Sequence, residues 1–257
     1  MNLRILVAAH KPYWMPDDLV YLPIHVGKAL HPARDLGWQG DDTGDNISAK
    51  NANYCELTAL YWAWKNLDAD AVGLVHYRRY FTRREAHGTA AKRRAILTGA
   101  DWQRLLAAAP IIVPDKRRYY IETNESHYRH AHHAAGLDAL RAVLAARHPS
   151  AAAAYETVLH RTWAHMFNMF VMRRDLYDAY CAWLFEVLAD VEARIDLRGY
   201  SPYEARVFGF LSELLLDVWL EATGHAYAEQ NVSFLEPQNW LKKGANFLWR
   251  KVRPSID

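Results

Sequence analysis

The sequence contains little cysteine and no long apolar run. Its 257 residues include only two cysteines, Cys55 and Cys181, which are far apart and form no Cys-x-x-Cys pair. We therefore expect neither a thiolate zinc site nor a disulfide framework. No stretch reaches the roughly 20 apolar residues of a membrane span, and the apolar run at residues 3–9 is too short for a signal peptide. These absences predict a soluble protein of the reducing cytoplasm.

Glycine motifs and a strong charge excess are also missing. The 12 glycines form no Gly-x-Gly-x-x-Gly, no Gly-x-x-x-x-Gly-Lys and no Gly-x-Ser-x-Gly pattern. This argues against a dehydrogenase, a P-loop enzyme and an α/β-hydrolase. The formal net charge of +2 is too small for the basic face that nucleic-acid binding requires. We expect no nucleic-acid partner.

The residues that are present predict an α/β protein with a large core. Hydrophobic residues make up 51% of the chain, which is enough to bury a sizeable interior. Residues 3–9 are patterned as a buried strand, 53–66 as a helix and 72–75 as a second buried strand. A strand, a loop, a helix and a strand in this order are typical of α/β folds.

The chain shows no repeat and no convincing linker. We predict a single domain over residues 1–257, with a core from about 3 to 235 and a basic, aromatic tail at 236–257. Residues 13–50 are expected to be mostly loop, with a strand near 19–25, and residues 82–95 to be a mobile basic loop. The remaining predicted elements are strands at 110–114 and 166–172 and helices at 100–109, 138–147, 151–163, 175–195 and 202–220.

An arginine pair follows the predicted strand at 72–75. His76, Arg78 and Arg79 stand at the end of this strand, and ligands of open α/β sheets bind outside the carboxyl ends of strands. Guanidinium groups suit a phosphorylated ligand because they offer a rigid fork of donors that stays charged. The alternative is a solvated turn.

An acidic and amide-rich cluster precedes the helix at 53–66. It contains Asp41, Asp42, Thr43, Asp45 and Asn46, and Asn53, Tyr54 and Glu56 follow. Such oxygens suit a divalent cation or the hydroxyls of a sugar, although the spacing of a calcium loop is absent. The alternative is a turn in which Asp and Asn side chains bond to their own backbone.

Three later clusters also carry polar groups that suit catalysis or binding. Glu122 with His127 and His132 suits proton transfer or acceptor binding, or else forms a polar loop. Asn168 lies in an apolar strand and needs partners there, from the core or from a substrate. Arg206 and Glu213 share a helix face and are expected to form a structural ion pair, which makes Glu204, at the helix entry, the better candidate for a base.

These blocks together resemble a bacterial family long catalogued as a domain of unknown function, found in capsule and lipopolysaccharide O-antigen gene clusters. The resemblance runs from about residue 5 to about residue 220. Members are regarded as glycosyltransferases with a GT-A-like fold, and one type is associated with galactofuranosyl transfer from UDP-galactofuranose. The matching blocks are Val7–Pro12, Tyr21–Gly27, Asp41–Ser48, Asn53–Thr58, His76–Phe81, Tyr119–Thr123, His165–Phe170 and Arg206–Phe210.

The resemblance implies a GT-A-like, Rossmann-like mixed sheet flanked by helices, and it assigns roles to specific residues. The implied catalytic base of an inverting reaction is Glu204, with Glu122 and Asp45 as rivals. The implied sugar and acceptor ligands are His127, His132, His165, Asn168 and Arg206. The implied nucleotide-sugar ligands are His10, Lys11, Asp41, Asp42, Thr43, Asn46, Asn53, Tyr54, His76, Arg78 and Arg79.

The sequence departs from the GT-A pattern where most of these enzymes hold a metal. The strand ending at Val75 resembles the one that usually ends in Asp-x-Asp, but here it continues into His76, Tyr77, Arg78 and Arg79. We therefore expect no metal or other cofactor, with the arginines stabilising the charge on the leaving diphosphate instead. Dependence on Mn²⁺ or Mg²⁺ stays open as the alternative.

The expected partners are a nucleotide-sugar donor, of the UDP type, and a glycan or lipid-linked glycan acceptor at the inner face of the plasma membrane. The tail suits weak attachment to anionic lipid, or else forms a solvated surface helix. Two other classes remain open: a non-catalytic sugar-binding module of an assembly complex, and a phosphotransferase or nucleotide hydrolase.

Overall fold

A mixed β-sheet forms the centre of the computed structural model, which describes residues 1–236. Within those residues the sheet has nine strands, seven of them in the order β10-β6-β9-β4-β1-β2-β3, and β5 extends it from β4 to β11. A separate ribbon pairs β7 with β8. The strands are β1 Leu3–Ala9, β2 Tyr21–His25, β3 Gln39–Gly40, β4 Ala71–His76, β5 Arg79–Phe81, β6 Ile111–Pro114, β7 Arg117–Arg118, β8 Trp163–Ala164, β9 Phe170–Arg173, β10 Ala228–Gln230 and β11 Val232–Phe234.

Helices cover both faces of this sheet. Two short 3₁₀ turns, Lys28–Leu30 and Ser48–Lys50, precede the first of them. The α-helices are α1 Asn51–Tyr54, α2 Leu57–Asn66, α3 Thr89–Ala95, α4 Gly99–Ala108, α5 Asn124–Ala131, α6 Ala134–Arg147, α7 Pro149–His160, α8 Arg174–Glu192 and α9 Val207–Thr223.

Parallel pairing brings the ends of the first strands to one edge. β1 pairs in parallel with both β4 and β2, and Ala8 lies opposite His76 in the β1–β4 register. β9 runs antiparallel between β4 and β6. The residues that follow β1 and β4 therefore meet at the same carboxyl edge, where open α/β sheets bind ligands.

The strands of the sheet centre are buried on both faces because helices lie on each side. Along β1, Leu6 and Ala8 pack into a core with α2 and α6 to α9, whereas Ile5 and Val7 pack into a second core that contains Trp102 of α4. A strand covered on both faces needs apolar residues at consecutive positions. This explains the unbroken apolar run at residues 5–9.

Most predicted elements are confirmed with boundaries shifted by a few residues. The strand expected near 19–25 is β2, and the long helix expected at 175–195 is α8. The helix expected at 53–66 is instead broken between α1 and α2, because Cys55 adopts a left-handed φ of 53°. The chain therefore changes direction just before Glu56.

Other predictions were wrong, two in the kind of element and two in the residue at which the element begins. The basic loop expected at 82–95 contains α3, whose basic residues lie in the last turn and complement the helix dipole. The polar loop considered around His127 and His132 contains α5, whose first turn is capped by the Thr123 hydroxyl. The strand expected from residue 166 begins only at Phe170, and the helix expected from residue 202 begins at Val207.

The predicted basic tail at 236–257 lies outside the described residues except for Glu236. Within residues 1–236, no helix combines the length and the apolar character that crossing a bilayer requires.

Substitution of Gly73 tests the pairing of β4 with β9. A Cβ at this position would lie 2.6 Å from Val171 Cγ2 and 2.9 Å from the Phe170 carbonyl oxygen of β9. We expect Gly73→Ala to lower the free energy of unfolding by about 3 kcal/mol in a urea titration, because the core strands cannot separate without strain.

Gly199→Ala is the matched control. Gly199 has a φ of 87°, and no atom of the described residues lies within 4 Å of the added Cβ. Only the left-handed backbone is penalised there, so we expect a loss of about 1 kcal/mol. Equal losses in the two variants would contradict the β4–β9 register.

Candidate functional site

A cavity of about 850 Å³ opens at the carboxyl edge of the sheet. His10, after β1, and the segment from His76 to Arg79, around the end of β4, form one side of it. Residues from α5 and from the start of α9 form the other side. Its volume falls within the range of pockets that hold a whole cofactor or a drug-sized ligand.

Arg78 and Arg79 both line this cavity, as their position after β4 predicts. Arg78 stacks on the Tyr77 ring at 4.9 Å and forms a half-exposed ion pair with Glu236 at 3.1 Å. The guanidinium of Arg79 lies over the rings of Phe167, at 4.6 Å, and Phe234, at 5.2 Å. Aromatic faces thus hold both cations in place.

Arg79 carries a positive charge without a close counterion. Among residues 1–236, no carboxylate oxygen lies within 4 Å of its guanidinium. Burial lowers the pKa of Arg79, although the carboxylates of Glu213 and Glu56 oppose this effect. Since an arginine stays protonated in proteins, the cavity contains a partly desolvated charge that an anionic ligand would neutralise.

Two further arginines reach the same cavity from other elements. Arg117 of β7 lies over the Tyr119 ring at 5.4 Å. Arg206, which precedes α9, lies over Phe210 at 5.3 Å and donates from Nε to Cys55 Sγ at 3.0 Å. The ion pair predicted between Arg206 and Glu213 was wrong: in the described part of the chain it does not form, because Arg206 faces Cys55 instead.

Two carboxylates, Glu56 and Glu213, lie in the cavity among these cations. Glu56 Oε1 accepts a hydrogen bond from Asn168 Nδ2 at 2.8 Å and lies 3.8 Å from His76 Nε2. Burial, together with the nearby Glu56 carboxylate, raises the pKa of Glu213 to about 7. The sequence predicts neither residue as a base, although Glu56 follows the amide-rich cluster and Glu213 shares a helix face with Arg206.

The two histidines at the strand ends are held neutral by their surroundings. Burial lowers the pKa of His76, whose Nε2 donates to the Phe167 carbonyl at 2.6 Å. Burial also lowers the pKa of His10, as do Lys11, Arg78 and more distant arginines. Lys11 lies 5.6 Å from the Tyr77 ring. The positive charge of the cavity therefore comes mainly from its arginines.

The model of a family described as a domain of unknown function, DUF4422, matches residues 4–224. The chain belongs to the DUF4422 family. Among curated proteins no relative is found.

One solved structure resembles this DUF4422 chain closely. It is the apo structure of the WbbM bifunctional glycosyltransferase, which is 30% identical and superposes with a TM-score of 0.86. The match covers 92% of this chain but 46% of the WbbM chain, so this chain spans less than half of that protein. The predicted mixed, GT-A-like α/β fold is confirmed.

The end of β4 in this DUF4422 chain does not fit a divalent metal. Mg²⁺ and Mn²⁺ prefer carboxylate, carbonyl and water oxygens, whereas His76, Arg78 and Arg79 occupy this place. Within residues 1–236, no three His, Cys, Asp or Glu side chains are grouped as metal ligands.

The predicted sugar and acceptor ligands are only partly brought together. His127 lines the cavity and stacks on Tyr119 at 4.2 Å, and His132 lines it and stacks on Phe210 at 3.9 Å. Asn168 is buried and is not among the residues that line the cavity, but its Nδ2 donates to Glu56, which does line it. His165 is fully buried, and its Nδ1 donates to Asp217 Oδ1 at 2.5 Å.

The three predicted bases are not among the residues that line the cavity. The buried Glu122 contacts the Nδ1 atoms of His127 and His130 at 3.2 and 2.9 Å. Hydrogen bonds from Ser201 lower the pKa of Glu204, which makes it a weaker base. Asp45 accepts a hydrogen bond from Tyr61 at 3.2 Å. Their catalytic roles stay predictions, and this placement gives them no support.

No residue of the acidic cluster at 41–46 is among those that line the cavity, and its side chains bond both to this loop and to other segments of the chain. Asp41 is fully buried and accepts bonds from the Gly27 and Lys28 amides and the Ser48 hydroxyl. Thr43 accepts from Trp62, the Asn46 amide bonds to the backbone of Gly44 and Ser48, and Asp42 is exposed. Asn46 bonds to its own turn, as the alternative of a self-bonded turn predicts, whereas Asp41 and Thr43 bond to other segments. The contact of this block with a nucleotide stays a prediction.

Asn53 and Tyr54 are not among the cavity-lining residues, and their side chains bond to other parts of the protein. Asn53 Nδ2 donates to the Ala205 carbonyl at 2.8 Å, next to Arg206. The buried Tyr54 donates its hydroxyl to Glu192 at 3.0 Å, and its ring contacts that of Phe208 in a tilted arrangement. Their predicted contact with a nucleotide stays a prediction.

Asp41→Ala separates a structural role from ligand binding. Three donors, the Gly27 amide, the Lys28 amide and the Ser48 hydroxyl, would lose a charged acceptor inside the protein. We expect a loss of about 3 kcal/mol in the free energy of unfolding. Exposed Asp42→Ala should change it by less than about 0.5 kcal/mol. A stable Asp41→Ala variant with impaired nucleotide binding would contradict the structural role.

Proposed function

We propose that this chain is a glycosyltransferase that takes its sugar from a nucleoside diphosphate sugar. The observation that carries the proposal is the set of arginines around one cavity at the carboxyl edge of the sheet: Arg78, Arg79, Arg117 and Arg206. A diphosphate is the ligand that best matches several guanidinium groups in one partly desolvated place.

The charge of these arginines also serves the chemistry. When the bond between the anomeric carbon and the diphosphate breaks, negative charge develops on the departing oxygen. Fixed cations stabilise that charge more strongly in the transition state than in the ground state. Because the end of β4 has arginines instead of carboxylates, we propose that the arginines replace a metal in this step.

The relationship to WbbM supports a transferase. That protein is a bifunctional glycosyltransferase, and this chain matches 46% of it at 30% identity. We propose that the matched part corresponds to a unit with one of two transferase activities, and that this chain performs the same class of reaction.

The finer assignment follows the family resemblance. We propose a UDP-linked donor, with galactofuranose as the transferred sugar, and a glycan or lipid-linked glycan acceptor of capsule, exopolysaccharide or O-antigen synthesis. A thermal-shift screen across UDP, GDP, CMP and dTDP sugars tests the donor, since a specific ligand raises the melting temperature by mass action.

Arg79→Ala tests the diphosphate site. We expect it to weaken UDP binding about 100-fold in calorimetry, because a charged hydrogen-bond donor is lost from a partly desolvated place. Arg118→Ala is the control: Arg118 is exposed on β7 and is not among the cavity-lining residues, so binding should be unchanged. Equal affinity of Arg79→Ala and the unmodified chain would contradict the site.

Chelation tests the absence of a metal role. If arginines stabilise the leaving diphosphate, release of UDP from the donor should continue at an unchanged rate in excess EDTA. Loss of turnover in EDTA and its recovery with Mn²⁺ would overturn metal independence. Binding of UDP-sugar without any turnover, with either water or a glycan acceptor, would favour the non-catalytic module.

A further inference from the structure

The cavity brings together two carboxylates from separate parts of the chain. Glu56 lies between α1 and α2, and Glu213 lies in the second turn of α9. Paired carboxylates with different environments are a common basis for dividing catalytic roles, because their pKa values are pushed apart.

Glu56 is fixed in position by its neighbours. Cys55, just before it, has a left-handed φ of 53°, which turns the chain at this point. The Glu56 carboxylate then accepts a hydrogen bond from Asn168 Nδ2 at 2.8 Å, and His76 Nε2 lies 3.8 Å away. The hydrogen bond from Asn168 therefore fixes the orientation of the Glu56 carboxylate.

Asn168 also ties this carboxylate to α9. Its Nδ2 donates a second hydrogen bond, at 3.0 Å, to the carbonyl of Gly209. Residue 209 is one helical turn before Glu213, so the two share a face of α9. The contact is close, since a Cβ at Gly209 would lie 3.1 Å from Cys55 Sγ. The Asn168 amide thereby joins the Glu56 carboxylate to the turn of α9 that precedes Glu213.

Glu213 has a mixed electrostatic environment. Its carboxylate is half-buried, so desolvation disfavours the charged form, and the charge of Glu56 acts in the same direction. Three arginines from three elements act in the opposite direction. The groups that face it are Glu56, Arg79, Arg117, Arg206, Tyr119 and Cys55.

We infer that Glu213 is the group that accepts the proton of the acceptor hydroxyl, and that Glu56 is a positioning residue. The inference rests on the proposed transferase function. In the step, the acceptor oxygen bonds to the anomeric carbon, the bond from that carbon to the diphosphate oxygen breaks, and its electron pair stays on the diphosphate. The hydroxyl proton passes to the Glu213 carboxylate.

The decrease of kcat on the acidic side of its pH profile, the acidic limb, tests this inference. Because burial and Glu56 raise the pKa of Glu213 to about 7, kcat should fall as pH decreases below about 7. Glu213→Gln should lower kcat at least 100-fold while UDP affinity stays within about threefold. Rates are measured as UDP release, from the UDP-sugar turned over fastest, with octyl galactoside or with water as acceptor.

Glu56→Gln tests whether the charge of Glu56 acts on Glu213, because a purely structural role of Glu56 would leave the pH dependence of kcat unchanged. Removing this negative charge should shift the acidic limb to lower pH, because Glu213 then ionises more readily. A ¹³C titration of the Glu213 carboxyl by NMR should show the same shift without any substrate. Glu221→Gln is the matched control on α9, since Glu221 is exposed and pairs with Arg161, and its rates should be unchanged.

The outcomes are separable. An active Glu213→Gln variant, or loss of activity in Glu204→Gln instead, would overturn the assignment of Glu213 and leave the proposed transferase standing. An unshifted limb in Glu56→Gln would also overturn the inference. A wild-type chain that binds no UDP-sugar and releases no UDP would overturn the proposed function and the inference together.

Discussion

The candidate site depends on the side-chain amide of Asn168. Its nitrogen donates to Glu56 and to the Gly209 carbonyl, so it joins the turn between α1 and α2 to α9 at the point where β9 is about to begin. Asn tolerates the left-handed backbone found here, with a φ of 53°, better than most residues do. A buried amide that satisfies acceptors on two elements fixes their spacing, because breaking either bond would leave a polar group unpaired.

The position of Arg79 depends on the same segment of the chain. Phe167, next to Asn168, also has a left-handed φ, of 81°, and its ring supports the Arg79 guanidinium while its carbonyl accepts from His76. Strained backbone of this kind persists where surrounding contacts over-determine it, and it concentrates at functional sites. In this molecule it places a cation, a neutral imidazole and two carboxylates around one cavity.

The sequence predicted the parts of the site that are local to a strand end. Arg78 and Arg79 could be anticipated because they directly follow a buried parallel strand, whose carboxyl end has a known direction in this kind of sheet. The role of the cluster at 41–46 could not be predicted in the same way, since composition does not reveal that the Asp41 carboxylate accepts hydrogen bonds from backbone amides. The role of Glu213 as a base is not predicted from the sequence, because helical spacing indicates an ion pair with Arg206. In the structure, Arg206 donates to Cys55 instead. Such contacts join residues about 150 positions apart and become visible only in the fold.

The central claim is that arginines at the carboxyl edge of the sheet bind the diphosphate directly. A crystal structure of the chain with UDP, grown in the presence of EDTA, is the most direct measurement. The account predicts both phosphates in the cavity, with the β-phosphate oxygens within hydrogen-bond distance of the Arg79 guanidinium. Phosphates bound beside the loop at 41–46, or nucleotide binding only after Mn²⁺ or Mg²⁺ is restored, would contradict it.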